Sequence, residues 1–150
     1  MPQSLSSILI HLIFSTKRRE SIISPDIEAE LYAYIATVLR EYKSPAILIN
    51  GTRDHIHILF ALSRTVTVSD IVEEIKKRSS KWIKTKGSEY RNFQWQTGYG
   101  AFSVGQSNVT ALKKYISAQK DHHHHKSFQE EYRAFLMKYN IEWDEEYLWD

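Results

Sequence analysis

The stretch Asp54-His55-Ile56-His57-Ile58-Leu59-Phe60 constrains this chain more than any other. A strand's period of two sends Ile56, Ile58 and Phe60 to one face and both imidazoles to the other. The apolar side has to be buried against a second layer. The two converging histidines have to be bonded to neighbours or shared by a cation, because burying paired imidazoles with neither is costly. Taken alone, the pair is balanced between two core histidines and half of a metal site.

The segments around this strand predict the rest of the fold. Residues 6–14 are rich in Ile and Leu and read as a buried strand that ends before Lys17-Arg18-Arg19. Ser24-Pro25-Asp26 opens a helix with an apolar stripe of Ile27, Leu31, Tyr34, Ile35, Val38 and Leu39, running to about Tyr42. Ala46 to Asn50 is a second strand, and Asn50-Gly51 turns it back into the histidine strand. Val68, Ile71, Val72, Ile75 and Ser79 mark a second helix. Strand character resumes from Phe93 to Val104 around a break at Thr97-Gly98-Tyr99-Gly100. A helix capped by Ser107 or Asn108 then runs toward His122, and a capping-box start at Ser127-Phe128-Gln129-Glu130 opens another.

The order strand, helix, strand, strand, helix, strand predicts an α+β ferredoxin-like sandwich. Its antiparallel sheet carries helices on one face, with further helices at the C-terminus. In that arrangement the histidine strand is central, Ile56, Ile58 and Phe60 lie under the helices, and His55 and His57 stand on the open face of the sheet. One domain over residues 1–150 is expected, with 127–150 as a C-terminal extension.

Charge narrows the partners little. With 20 Lys+Arg against 18 Asp+Glu, any nucleic acid has to be held by local clusters, for which Lys17, Arg18, Arg19 and Lys76, Lys77, Arg78 are the candidates. Trp82, Phe93 and Trp95 are candidates for stacking bases; the alternative is a solvated basic face over core aromatics. The absence of cysteine excludes disulfides, thiolate metal sites and cysteine nucleophiles. The apolar run Ile8 to Phe14 is too short to span a bilayer, and its basic residues follow it, so a soluble cytoplasmic protein is expected, with no membrane partner.

Two histidines are few ligands for a stable site. Gln119 is the candidate third, through its amide oxygen, and Tyr115 lies one helical turn before it on the same side of the helix. A tyrosine hydroxyl attacks a phosphate when a metal neutralises the phosphate oxygens. Most of the 9 tyrosines read as amphipathic packing residues, and only its pairing with Gln119 and the two histidines singles out Tyr115. His122 to His125 cannot all meet one ion from a helix, and read best as a solvated run that complements the helix C-terminus.

With these residues in place, the sequence resembles the HUH single-tyrosine transposases of bacterial insertion sequences and their relatives associated with repetitive extragenic palindromes. The resemblance rests on Asp54 to Phe60, on Trp95-Gln96-Thr97-Gly98-Tyr99-Gly100-Ala101-Phe102-Ser103-Val104, and on Tyr115-Ile116-Ser117-Ala118-Gln119 followed by histidines. It implies His55, His57 and Gln119 as ligands of a divalent metal, Mg²⁺ or Mn²⁺, and Tyr115 as the nucleophile on single-stranded DNA. It further implies a 5′-phosphotyrosine intermediate with a free 3′-hydroxyl, DNA hairpins as recognition elements, and a homodimer. The tyrosine helix, from about Asn108 to Lys120, is then expected against the histidine strand of its own or the partner chain. The rival expectation is a ferredoxin-like nucleic-acid-binding module without chemistry, reading bases on sheet aromatics. A cupin-like metalloenzyme is disfavoured by the helices.

Overall fold

Alternation in the first strand is resolved by burying both of its faces. In the computed structural model, which describes residues 2–122 and 126–149, β1 (Leu9–Ser15) is buried at all seven positions. Ile10, Leu12 and Phe14 face one layer, while His11 and Ile13 face the other. His123, His124 and His125 lie outside the described residues, as does the side chain of His122.

Ser24 caps α1 (Pro25–Glu41), its side chain accepting from the Asp26 amide at 3.2 Å, with Pro25 in the first turn where its missing N–H costs nothing. β2 (Ala46–Gly51) turns into β3 (His55–Ala61), and Thr67 caps α2 (Val68–Ile83) through the Asp70 amide. β4 (Gly100–Val104) completes a four-stranded sheet of order β2-β3-β1-β4 in which every pairing is antiparallel. This is the expected ferredoxin-like order, with the histidine strand inside the sheet. Leu12, Phe14, Ile56, Ile58 and Phe60 form one core with Leu31, Ile35 and Leu39 of α1 and Ile71 and Ile75 of α2.

The last strand is shorter than the expected 93–104. Phe93 and Trp95 belong to a loop joined to the end of β1 by an isolated bridge between Thr16 and Trp95 and by the Ser15 amide donating to Gln96 Oε1 at 2.8 Å. Their side chains are drawn into the core, where Trp95 packs edge-on against Phe14 and its indole N–H donates to Ser79 Oγ at 2.9 Å. Strand-like composition here serves burial without a ladder, which is why periodicity overran the boundary.

The second face of the sheet is not open. α3 (Val109–Ser117) and α4 (Gln119–His122) replace the one expected helix, broken at Ala118, and they are followed by α5 (Phe128–Lys138) and α6 (Glu145–Leu148). α5 lays Phe128, Tyr132 and Leu136 onto Ile13 and Phe102, so His55 and His57 are covered, a correction to the expected exposed face. The expectation of an open sheet counted only the helices of the sandwich. The amphipathic stripe of α5 needs a surface, and the second sheet face supplies it. No helix among the described residues is long and apolar enough to cross a membrane.

Candidate active site

The hairpin before β3 aims the first imidazole. A Cβ at Gly51 would collide with the His55 carbonyl and come within 2.9 Å of the Ile56 Cα, so only glycine lets the chain close here. Asp54 then folds back so that its Oδ1 lies 2.7 Å from His55 Nδ1, and it also accepts from Thr52 Oγ1 at 2.9 Å. With Nδ1 so engaged, Nε2 points over the second sheet face. His57, on the same face, has its Nδ1 2.7 Å from Nε2 of His11 on β1, and its own Nε2 points to the same place as that of His55.

The tyrosine helix is fastened to the edge of the sheet. Asn50 on β2 donates from Nδ2 to the Ile116 carbonyl at 2.9 Å, and Lys120 reaches Glu28 of α1 at 2.9 Å. α3 therefore packs over β2, next to the histidine strand, and reaches across it: the Tyr115 ring is 6.0 Å from that of His57. Gln119 places Oε1 3.0 Å from His55 Nε2. The four residues singled out in the sequence, His55, His57, Tyr115 and Gln119, thus converge within one chain.

A fifth residue sits among them. Glu131 of α5 brings Oε1 to 3.0 Å from His57 Nε2 and 3.2 Å from His55 Nε2. Its Oε2 accepts from Gln119 Nε2 at 3.0 Å and from the Tyr115 hydroxyl. The sequence held a signal for it. Phe128, Tyr132 and Leu136, flanked by the half-buried Phe135, form the inward stripe of α5, and Glu131 falls on that stripe, 1% exposed. A carboxylate on the apolar side of an amphipathic helix is rarely there without a partner.

The surroundings of His55 favour positive charge. Burial opposes a charge on His55, but its hydrogen bonds to Asp54 and Glu131 outweigh that and raise its pKa to about 9. Its Nε2 faces Glu131 Oε1 and Gln119 Oε1, both acceptors, so a positive centre has to lie between them: a proton on the ring or a metal ion. The ligand atoms of His55, His57 and Glu131 all lie within 4.8 Å of one another. Two imidazole nitrogens, a carboxylate oxygen and a nearby amide oxygen are a donor set that fits a divalent ion such as Mn²⁺. Tyr115 is perturbed in the opposite sense: burial first, then the charge of Glu131, pushes its phenol well above the ordinary range.

The basic clusters divide. Lys17 and Lys77 line one cleft with Lys84, Gln94 and Thr97. Lys76 borders the same cleft, but its ammonium donates to the carbonyls of Gln96, Thr97 and Gly98 at 2.8, 3.2 and 2.7 Å. Arg78 is engaged by Glu41 through both of its terminal nitrogens, and Arg19 lies over the Trp149 ring at 5.5 Å. Arg18, in a short turn with φ 56°, lines a neighbouring pocket with Lys17 and Gln94. The aromatics expected to stack bases are used internally: Phe93 and Trp95 are buried, and Trp82 stacks on Tyr34. With its second face covered, the sheet offers no platform of the kind a base-reading module requires.

Comparison with known proteins agrees with this geometry. Residues 4–119 match the sequence profile of the family described as IS200-like transposases. Two solved structures share the fold. One, assigned as a transposase from Deinococcus radiodurans R1, is 17% identical with a TM-score of 0.62, covering 79% of this chain and 98% of that one. The other, a REP-associated tyrosine transposase bound to a REP hairpin, is 16% identical with a TM-score of 0.60, covering 82% of this chain and 72% of that one. No curated protein sequence matches the chain.

Proposed function

This chain belongs to the IS200-like transposase family, and from that premise we propose that it cuts and rejoins single-stranded DNA with Tyr115 as nucleophile and a divalent cation held by His55, His57, Gln119 and Glu131. The observation that carries the proposal is the convergence of both imidazole Nε2 atoms, the Gln119 amide and the Tyr115 hydroxyl on the one carboxylate of Glu131.

The residues divide the work. Asp54 orients His55, and Gln119 offers its oxygen toward His55 while its N–H₂ holds Glu131 in place. A divalent cation held by these groups would neutralise oxygens of the scissile phosphate and favour attack by an oxygen nucleophile. The phenol of Tyr115 already donates to Glu131 Oε2, so that oxygen is the first resting place for its proton as Oη attacks phosphorus. A bond forms between the tyrosine oxygen and phosphorus, and the bond from phosphorus to the 3′ oxygen breaks. The chain then carries a 5′-phosphotyrosine, and the released strand ends in a 3′-hydroxyl that has gained a proton. Attack by a 3′-hydroxyl on the phosphotyrosine reverses the step and joins strands.

A cleft of about 420 Å³ reaches the phenol between α3 and α5, lined by Asn108, Leu112, Tyr115, Phe135 and Lys138. It is the side from which a phosphate approaches, and Lys138 supplies positive charge there. Lys17, Arg18 and Lys77 are retained as contacts to the DNA backbone; Arg19, Lys76 and Arg78 would first have to give up the partners they hold. A hairpin in the DNA is proposed as the recognition element, in keeping with the REP hairpin in one structural relative. The homodimer stays part of the proposal. Because one chain supplies all the groups of the site, dimerisation would extend the DNA surface rather than complete the chemistry. A cytoplasmic location remains part of the proposal.

The test is cleavage of single-stranded oligonucleotides that carry hairpins from the flanks of the gene, with Mn²⁺ or Mg²⁺. Metal-dependent cuts leaving a 3′-hydroxyl, abolished by a chelator, are expected. Cutting that is unaffected by chelation, or ends carrying a 3′-phosphate, would contradict the proposal.

A further inference from the structure

His11 lies in the apolar run of β1, between Ile10 and Leu12, where an imidazole has no packing advantage over a leucine. It pairs with Leu59 across the ladder, so His57, two residues back on the same face, is its diagonal neighbour. The two rings stack at 5.0 Å with 17° between their planes, and His11 Nε2 meets His57 Nδ1 at 2.7 Å. Phe135 closes the other side, edge-on at 5.0 Å, and His11 is 1% exposed. Its Nδ1 has no hydrogen-bond partner among the described residues.

Buried between Phe102 and Phe135, the His11 ring is favoured in its neutral form, with one N–H. The shared hydrogen bond then has two possible directions. If His11 donates from Nε2, His57 accepts at Nδ1 and carries its own proton on Nε2, facing Glu131 Oε1. If His57 donates from Nδ1, His11 accepts, and His57 Nε2 keeps a free lone pair. Only the second arrangement makes His57 a metal ligand.

We propose that His11 is a positioning residue for the metal site: through its Nε2 it accepts the Nδ1–H of His57 and so presents the His57 Nε2 lone pair to the cation. The inference rests on the metal reading above and extends it to a residue outside the ligand set. Without a cation the bond runs the other way, with His57 Nε2–H on Glu131. Passing between the two states moves one proton from Nε2 to Nδ1 on each ring and leaves the total unchanged. The two ligand histidines are thereby unlike. His55 is backed by the carboxylate of Asp54, whereas His57 is backed by a neutral ring enclosed by Phe102 and Phe135. The apolar wall keeps water from replacing His11 as the acceptor.

The experiment titrates the full chain with Mn²⁺ by calorimetry, without DNA, comparing wild type with His11→Phe, His11→Gln and His57→Ala. Phenylalanine fills the site but cannot accept, so affinity should fall by about 10- to 100-fold. Glutamine can place an acceptor near the Nε2 position and should restore most of the loss. Wild-type affinity in His11→Phe, with affinity lost in His57→Ala, would overturn the role of His11 and leave the metal site standing. Unchanged affinity in His57→Ala would remove the metal reading itself, and the role of His11 with it. Should His11→Phe fail to fold, ¹⁵N spectra of histidine-labelled wild type give the answer directly. With Zn²⁺ bound, His57 Nδ1 should show the shift of a protonated ring nitrogen; an unprotonated shift there would overturn the proposal.

Discussion

Tyr115 and Glu131, sixteen residues apart and on different helices, are joined by a hydrogen bond from the phenol to the carboxylate. The other oxygen of that carboxylate faces both histidines, so one side chain links the proposed nucleophile to the proposed ligands. Burial of the ring, and then the charge of that carboxylate, push the phenol's pKa up. Tyr115, Gln119 and the two histidines thus meet at one residue of α5, a helix that lies wholly beyond the residues matched by the family profile.

Glu131→Gln tests that linkage. The amide keeps the shape and still accepts from the phenol, but it removes the only negative charge among the proposed ligands. Affinity for Mn²⁺ is expected to fall by at least about tenfold in calorimetric titration. Unchanged affinity would mean that the cation is held without Glu131.

Gly51→Ala should strain the hairpin that aims His55. The added methyl would meet backbone atoms of His55 and Ile56, which cannot move aside as a flexible side chain can. A loss of about 1–3 kcal/mol in urea denaturation is expected. Stability equal to wild type would show that the turn relaxes freely.

Phe60→Ala, at a fully buried position of the first core, should cost about 3–5 kcal/mol. Met137→Ala, at a site 66% exposed, should change stability by no more than about 0.5 kcal/mol. Equal effects of the two in denaturant titrations would contradict the layer assignment of β3 and α5.

The C-terminal tail should respond to acid. Glu145 accepts from Arg133 at 2.7 and 3.0 Å and from the indoles of Trp143 and Trp149, each at 3.0 Å. The Arg133 hydrogen bonds, then those of the two tryptophans, hold its carboxyl down at about 2. A depressed folded value means that this contact is fully present above the unfolded pKa of roughly 4.5 and is lost as pH falls through about 2. Tryptophan fluorescence should therefore change across that window in wild type, and Glu145→Gln should show the low-pH spectrum at neutral pH. Because the pair is exposed, added salt should weaken the effect. A spectrum that ignores both pH and the substitution would mean that the indoles are held by packing alone.

The sandwich and half of the site could be read from the sequence because they are local patterns. The alternation from His55 to Phe60 assigned both faces of β3, and the four-residue spacing of Tyr115 and Gln119 put both on one side of their helix, even though the chain breaks at Ala118 between them. Glu131 was not found because no period connects α5 to β3; only its place on a buried stripe marked it. His11 was hidden for the opposite reason, inside a run so apolar that it read as simple burial. The expected open face failed on a matter of layers: periodicity tells which face of a strand is apolar, but not whether a distant helix covers the other.

The most direct measurement is the intact mass of the denatured protein after incubation with a single-stranded hairpin oligonucleotide and Mn²⁺. Wild type should gain the mass of the 5′-phosphorylated cleavage product, mapped by peptide analysis to Tyr115, and Tyr115→Phe should gain nothing while binding Mn²⁺ as wild type does. An adduct of the same mass on Tyr115→Phe, or one mapped to another residue of the wild type, would contradict the assignment of the nucleophile.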